Sequence, residues 1–304
     1  MQTLFLNFAN SIFPISLVVL FGYLLRRWKK IDPQQVAHIV FYIMLPALIF
    51  RDLYAFNVPL EDSFKMMGIT ITLIFFLLVI GWIIGRFSRV SSSERAAVIL
   101  ITAFMNCGAL GLSVSEFGFG IEAVVWAEIF FIAAVVMLIV VGVFIGESGR
   151  LPLGKAVTQV LKAPIIYALG AALLARTIQV EIPAAIMRPI ELAASGAIPL
   201  TLVVLGIQFA ESGIPKNWRL VSLPIGIRLI ISPLIAFGLA HLLNLEGLPL
   251  KAAVLQAGMP VAVLNGVIAT QYDLEPELVS SAILVSTLAS PITLAIIISI
   301  LNST

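Results

Sequence analysis

With 304 residues, 61% of them hydrophobic and only 11% charged, the chain is far more apolar than soluble domains, which carry about 25% charged residues, and its mean hydropathy is +1.11. This composition excludes a soluble globular protein and predicts an integral membrane protein, and the net charge of +2 excludes the strongly basic surface of a nucleic-acid-binding protein. The single cysteine, Cys107, excludes an internal disulfide and a cysteine-based metal cluster, and two histidines far apart in the sequence, His38 and His241, predict no metal site.

Apolar segments recur along the chain at lengths near the 20 residues that an α-helix needs to cross a bilayer. They far exceed the roughly 10 alternating residues of a membrane barrel strand, so the spans are predicted to be helical. The first segment has no basic stretch before it and is predicted to be a true span, not a cleaved signal peptide. The ten predicted spans are 5–25, 35–55, 64–87, 95–117, 121–146, 157–178, 184–210, 218–241, 250–271 and 277–301.

Lysine and arginine residues are unevenly distributed between the two sides of this ten-span arrangement. With the N-terminus outside, 12 of them fall in inner loops and 5 in outer loops, while Arg228 stays inside span 8. Because cytoplasmic loops carry the excess of basic residues, both termini are predicted to lie outside the cytoplasm, in the plasma (inner) membrane. The inner residues are Arg26, Arg27, Lys29, Lys30, Arg86, Arg89, Arg95, Arg150, Lys155, Lys162, Lys216 and Arg219, and the outer ones are Arg51, Lys65, Arg176, Arg188 and Lys251.

Span 4 contains residues that disfavour a plain membrane helix. Asn106, Cys107, Gly108 and Gly111 stand at its middle depth. Glycine weakens a helix by about 1 kcal/mol relative to alanine, and an asparagine amide in hydrocarbon is costly unless another group satisfies it. Gly108 and Gly111 are predicted to permit a break in the helix or to allow close helix packing, two uses that are compatible.

Span 9 has the same character. Pro260 lacks a backbone donor and clashes with the preceding turn, and the pair Asn265 and Gly266 follows it. Helix breaks are therefore predicted at Pro260 and Gly266 as well. Two interrupted apolar spans in corresponding halves of a membrane protein indicate the binding site of a transporter.

The two halves of the chain resemble each other at offsets of 150 to 156 residues. Each repeat holds five spans, an odd number, so the second repeat must insert in the opposite orientation to the first. We therefore predict an all-α polytopic membrane protein with ten transmembrane helices in two inverted five-helix repeats, 1–146 and 147–304, and with broken crossover helices 4 and 9. The matched pairs include Pro14 and Pro164, Arg26 and Arg176, Pro46 and Pro199, and Glu122 and Glu277.

The chain resembles the auxin efflux carrier family over essentially its whole length. The motifs that carry the resemblance are 44–50 (MLPALIF), Asn106 with Gly111, 256–260 (QAGMP), 269–272 (ATQY) and 286–294 (STLASPITL). Bacterial members of this family include proteins described as malate and malonate permeases. The resemblance implies a scaffold (1–55 and 157–210) and a mobile transport domain (64–146 and 218–301). As in the related bile acid–sodium symporters, it implies that spans 4 and 9 unwind and cross at mid-membrane, with substrate beside the crossing.

The resemblance to the plant carriers is incomplete. This chain lacks their long central cytosolic loop and has Asn265 where they tend to carry a second proline, so auxin is not the expected substrate. The resemblance is compatible with a homodimer formed through the scaffold.

The broken helices would direct their N-terminal dipoles and free N–H groups into a cavity, which suits a carboxylate. The asparagines could instead hydrogen-bond neighbouring helices, and Arg228 could pair with a carbonyl or an acid. Gln208 is a further polar candidate for the path. The residues predicted to bind substrate are Asn106, Cys107, Gly108, Gln256, Pro260, Asn265 and Arg228.

Acidic residues within the spans are candidates for ion coupling. Glu128 lies deepest, inside span 5, where a buried carboxyl holds a proton readily. Asp52 is a second candidate, although it could simply pair with its neighbour Arg51. Glu116 and Asp273 are further alternatives.

These features predict a secondary active transporter of a small organic anion that works by elevator-type alternating access. No ATP-binding motif is present, so the energy would come from a H⁺ or Na⁺ gradient, the membrane potential or the substrate's own gradient. No cofactor or nucleic-acid partner is expected. The alternatives are a sodium-coupled carrier like the bile acid symporters, a channel-like uniporter, a receptor or an intramembrane enzyme. An enzyme would need a convergent acid–base, metal or nucleophile constellation, which the sequence does not display.

Overall fold

The computed structural model describes residues 12–29, 31–56, 58–88, 90–146, 153–210 and 217–303. In these ranges the chain is helical, and the extended backbone forms one isolated antiparallel bridge, between Met105 and Val261. The α-helices are α1 (Phe13–Trp28), α2 (Pro33–Ile39), α3 (Leu45–Ala55), α4 (Leu60–Phe87), α5 (Ser92–Ala103), α6 (Ser113–Phe119), α7 (Ile121–Gly146), α8 (Leu153–Leu161), α9 (Pro164–Thr177), α10 (Ala184–Ser195), α11 (Ala197–Phe209), α12 (Trp218–Gly226), α13 (Ser232–Leu242), α14 (Gly247–Ala257), α15 (Val263–Gln271) and α16 (Pro276–Ser303).

In the part of the chain that the structure describes, three π-helical turns of five or six residues extend these helices. The turn Val40–Met44 joins α2 to α3, Cys107–Leu112 leads into α6, and Ile227–Ile231 joins α12 to α13. Such turns are rare and often mark functional regions.

Six helical stretches in the described part of the chain are long and apolar enough to cross a membrane, or up to seven if one bent pair counts as a span. The prediction of an all-α membrane protein is therefore confirmed, while ten spans and the inverted repeat stay predictions. The six stretches are Pro33–Ala55, Leu60–Phe87, Ile121–Gly142, Ala184–Phe209, Trp218–Leu242 and Pro276–Ser303.

The predicted span 6, residues 157–178, is bent near its start. The chain bends by 69° between α8 and α9, so residues 157–161 belong to a separate helix. The cause is Pro164, the first residue of α9, because proline disfavours the helical conformation in the residue before it. Ala163 is accordingly extended, with ψ of 114°.

Other predicted bounds differ less from the structure. Span 5 coincides with α7, while spans 3 and 10 are longer than predicted because α4 begins at Leu60 and α16 runs from Pro276 to Ser303. Span 7 is divided at Gly196 into α10 and α11. The first residues of span 1, the connection 147–152 and the basic residues Lys30, Arg89, Arg150 and Lys216 lie outside the described residues.

The helices pack in two sets, with few contacts from one set to the other. In the first set, α1 packs on α11, and α3 packs on α9 and α10. In the second set, α4 packs on α5 and α7, α14 packs on α7 and α13, and α15 packs on α16. The sets meet where α11 contacts the turn Cys107–Leu112 and where α3 contacts α7.

Two glycines allow α1 and α11 to approach each other closely. A Cβ atom on Gly22 would overlap the backbone carbonyl of Val203, and one on Gly206 would overlap the carbonyl of Val19. Small residues at a membrane helix interface permit this backbone approach and the van der Waals contact that comes with it.

We expect Gly206→Ala to lower the free energy of unfolding by about 1–3 kcal/mol, the usual cost of overpacking a well-packed contact. The measurement is thermal unfolding of the purified protein in detergent. Gly170→Ala in α9 is the matched control, because a Cβ there meets nothing within 4 Å. Equal melting temperatures for the two variants would contradict the proposed role of Gly206.

Candidate functional site

Span 4 is interrupted at residues 104–106. Helix α5 ends at Ala103, and Phe104 is extended, with φ −111° and ψ 126°. Asn106 is also non-helical, and the chain resumes as a helix at Cys107. Gly108, which is predicted to permit the break, lies inside the resumed helix, two residues after the interruption.

Gly111 lies inside the same resumed helix. Both glycines take part in close packing, the other use predicted from the sequence. A Cβ on Gly108 would lie 3.0 Å from the ring of Phe131, and one on Gly111 would overlap the side-chain amide of Gln256.

Span 9 is interrupted at residues 258–262, between the end of α14 at Ala257 and the start of α15 at Val263. Pro260 lies within this interruption. Its backbone lacks an N–H group, and the non-helical chain at this position needs no helical hydrogen bond from it. The prediction of a break at Gly266 is wrong, because this residue lies inside α15. The Asn-Gly pair is accommodated there as ordinary helix.

The two interruptions cross and pair with each other. The Asn106 N–H donates to the Pro260 carbonyl at 2.8 Å, and the Ala262 N–H donates to the Phe104 carbonyl at 3.0 Å. Between them, the Val261 N–H donates to the Ser286 hydroxyl at 3.1 Å. Backbone groups released from the helices are thus satisfied inside the protein, as a non-aqueous environment requires.

Arg228 binds the C-terminal ends of both broken helices. It is completely buried. Its Nη1 donates to the carbonyls of Thr102 and Ala103, both at 3.1 Å, at the end of α5. Its Nη2 donates to the carbonyl of Ala257 at 2.8 Å, at the end of α14, and to the hydroxyl of Ser232. A cation therefore meets the negative ends of two helix dipoles, which is the structural role considered from the sequence.

Asn265 holds α15 against the end of α5. Its Nδ2 donates to the carbonyls of Leu100 at 2.8 Å and Phe104 at 3.3 Å. Asn265, Arg228, Gln256 and Pro260 all lie outside the lining of the cavity described next, so the prediction that they contact substrate is not supported by their positions. Each instead packs within or beside the crossing.

A cavity of about 430 Å³ lies beside the crossing, between the two sets of helices. Asn106, Cys107 and Gly108 line it from the start of one resumed helix, and residues 262–264 line it from the start of α15. Gln208 of α11, a polar candidate for the transport path, lines it from the other set. Apolar side chains of α7 form much of the remaining wall.

Sequence reasoning missed the polar residues of the opposite wall. Gln34, His38 and Tyr42 line the cavity from α2 and the turn that follows it, and Thr201 lines it from α11. The rings of His38 and Tyr42 pack edge to face, with centroids 6.0 Å apart. The spacing of four residues between Gln34, His38 and Tyr42 places them on one helix face. This pattern in the sequence could have indicated a polar face on this helix.

The wall of the cavity offers hydrogen-bond donors, although no lysine or arginine is found among the described residues that line it. The first N–H groups of a helix have no intrahelical acceptor, and two helices begin at the lining residues Cys107 and Val263. The side chain of Asn106 adds a donor, because its buried Nδ2 has no hydrogen-bond partner among the described residues. Together these groups could bind an anion.

The candidate coupling acids lie away from the cavity lining. Asp52 on α3 and Glu128 on α7 are both buried and interact with each other. Glu116 on α6 acts electrostatically on Asp52. Asp273 lies in the turn after α15, where its carbonyl accepts a hydrogen bond from the Ser93 hydroxyl at 3.0 Å.

Comparison with known proteins agrees with this architecture. The family described as "Membrane transport protein" matches residues 8–150 and 148–298. An "Uncharacterized transporter" of Methanothermobacter thermautotrophicus is 27% identical over 298 residues, covering 96% of this chain and 97% of its own. A "Putative malonate transporter" of Rhizobium meliloti is 24% identical over 315 residues, covering 97% and 96% of the two chains. Auxin efflux carrier component 8 of Arabidopsis thaliana is 27% identical over 118 residues, 38% of this chain and 32% of its own.

The apolar helices, the crossed interruptions and these similarities define a membrane transporter. The chain belongs to the membrane transport protein family, which is the family of the auxin efflux carriers. The resemblance drawn from the sequence motifs is thereby confirmed. Membership of a transporter family supports the expectation that the chain is not an enzyme.

We expect Arg228→Met to lower the free energy of unfolding by at least about 2 kcal/mol, because the buried carbonyls of Thr102 and Ala103 each lose a donor worth about 1–3 kcal/mol. Thermal unfolding in detergent, followed by tryptophan fluorescence, measures this effect. Arg219→Met is the control on the preceding helix α12, where the side chain is exposed, and it should change stability by less than about 0.5 kcal/mol. Similar melting temperatures for both variants would show that Arg228 does not hold the crossing together.

Proposed function

We propose that this transporter carries a small organic anion of the carboxylate class, such as malonate or malate, and that the anion binds in the cavity beside the crossing. The observation that carries the proposal is the wall of this cavity. Two helices begin there, and Asn106, whose Nδ2 has no hydrogen-bond partner among the described residues, lines the same wall. These donors complement a carboxylate, because helix N-termini bind anions through free N–H groups and the helix dipole.

The size and chemistry of the cavity favour a small anion. Its volume of about 430 Å³ falls in the range of small-molecule sites. No lysine, arginine, aspartate or glutamate is found among the described residues that line it. Dipoles and amides would therefore hold the charge, and a site of this kind can release its ligand more readily than one with a buried ion pair. The name of the Rhizobium meliloti relative supports a dicarboxylate as the first compound to test.

The two sets of helices favour an elevator mechanism. Gln34, His38 and Thr201 line the cavity from the set assigned to the scaffold, while Asn106 and Val263 line it from the set assigned to the transport domain. In the proposed cycle, the second set moves along the first and carries the crossing and its anion across the membrane. The few contacts between the sets are consistent with such sliding, because each set packs mainly within itself.

We further propose that the protein is a plasma (inner) membrane transporter with both termini outside the cytoplasm. The support is the excess of lysine and arginine in the loops that this orientation places inside.

We expect Asn106→Ala to reduce malonate counterflow in proteoliposomes by about tenfold to a hundredfold, the loss that corresponds to a hydrogen bond to a charged group of about 1.5–3 kcal/mol. Its melting temperature should stay close to that of the wild type, since the Nδ2 group makes no hydrogen bond in the described structure. Counterflow also separates a carrier from a channel, because only a carrier exchanges substrate against a preloaded pool.

Gln271→Ala is the matched control, because Gln271 is an exposed amide at the end of α15 outside the cavity lining. This variant should exchange malonate like the wild type. Wild-type rates in Asn106→Ala would contradict the assigned site. A wild-type protein that is protected against heat by neutral or cationic compounds and by no carboxylate would contradict the anionic substrate class.

A further inference from the structure

Two buried carboxyl groups meet where the two sets of helices touch. Asp52 belongs to α3 and is 1% exposed, and Glu128 belongs to α7 and is 0% exposed. The Asp52 side chain lies within hydrogen-bonding reach of the Glu128 carboxyl. Since α3 and α7 pack on each other, this contact joins the proposed scaffold to the proposed transport domain.

The hydrogen bonds of the pair are incomplete. Asp52 Oδ1 accepts a hydrogen bond from Arg51 Nε at 2.5 Å. Asp52 Oδ2 and both oxygens of Glu128 have no donor among the described residues. Ionised carboxylates only accept hydrogen bonds. Two ionised carboxylates in contact therefore have no donor to form a hydrogen bond between them. A proton on one carboxyl supplies this donor.

The local charges also require a proton. Two like charges in contact and away from water cannot both be ionised at low cost, and a buried charge without a partner is costly. Arg51 supplies one positive charge, and its Nε bonds Asp52. One carboxylate is thus neutralised by Arg51, and the other, Glu128, is left to hold a proton.

The surroundings offer a route from water to the pair. The Arg51 side chain is 22% exposed, and Glu116 on α6 is half-buried and acts electrostatically on both Arg51 and Asp52. These groups form a graded series from the partly exposed Arg51 and Glu116 through Asp52 to the fully buried Glu128.

Several charged groups on the other helices that pack against α7 have contacts away from the Asp52–Glu128 pair. Lys65 of α4 pairs with Glu61 and Asp62, and Lys251 of α14 lies over the ring of Phe119. The remaining basic residues on these helices are Arg86 in the last turn of α4 and Lys155 in the first turn of α8.

We propose that Asp52 and Glu128 form the proton site that couples anion transport to a proton gradient. The inference rests on the proposed function, since it takes the anion and the moving helices from it. When α7 slides past α3, Asp52 stays behind as an ion pair with Arg51, and Glu128 leaves as a neutral acid. On the other side of the membrane, Glu128 releases its proton to water and returns to Asp52, where it is protonated again. One proton thereby crosses with each anion.

The test uses the purified full-length protein in liposomes and radiolabelled malonate. The outer pH is held constant and only the inner pH is raised, so that the ionisation of external malonate does not change. The wild type should take up malonate several-fold faster with this gradient than without it. Glu128→Gln should lose the stimulation and keep malonate counterflow, because a neutral amide mimics the protonated acid but carries no proton. Glu122→Gln is the matched control, an exposed acid in the first turn of the same helix, and it should keep the stimulation.

A second measurement is independent of the substrate. Infrared spectroscopy of the purified protein at neutral pH should show the carbonyl band of a protonated carboxyl, which should vanish in Glu128→Gln and persist in Glu122→Gln. If Glu128→Gln does not fold, Asp52→Asn serves instead. This variant releases Arg51 to pair with Glu128, so the band should vanish there too.

The outcomes separate the two proposals. Stimulation that survives in Glu128→Gln, or a band that is unchanged in both variants, overturns the proton site. A different outcome is that the wild type shows no malonate counterflow and the carbonyl band is lost in Glu128→Gln. This outcome supports the shared proton and overturns malonate as the substrate.

Discussion

The guanidinium of Arg228 makes the crossing of the two broken helices stable. Breaking a helix inside a membrane leaves its last carbonyls without donors, and each unsatisfied group is costly where no water can reach it. Arg228 binds three such carbonyls from α5 and α14, and its charge meets the negative ends of both dipoles. Ser232 completes the arrangement by donating to the Ala257 carbonyl at 2.7 Å. Among the described residues, Arg228 is thus a shared hydrogen-bond partner of the ends of α5 and α14.

The crossing therefore divides polar groups into two classes with different tasks. The backbone carbonyls near the ends of the broken helices accept hydrogen bonds from two protein side chains, Arg228 and Asn265. The starts of the resumed helices face the cavity, and the Nδ2 of Asn106 has no protein partner in the described structure. The asparagines of the two broken spans thus have different surroundings. Asn265 binds the protein, and Asn106 is proposed to bind the substrate.

The candidate site was partly predictable from the sequence. Asn106 and Gln208 were recognised as polar residues in apolar spans, and both line the cavity. Arg228 and Asn265 were recognised for the same reason and lie outside its lining, since the cost of a buried polar group indicates a partner but does not identify it. His38 was set aside because a lone histidine has no metal-ligand spacing. Its place in the wall depends on which face of α2 turns toward the cavity.

By itself, the sequence determined the features that depend on local composition. Apolar segments of about 20 residues predict membrane helices, and Pro260 or the residues around Asn106 predict their interruption. Only the tertiary structure decided which distant groups meet. Asp52 and Glu128 stand far apart in the chain, yet α3 and α7 bring their carboxyls together. Their contact depends on the rotation and depth of two packed helices, which side-chain packing sets and hydropathy does not encode.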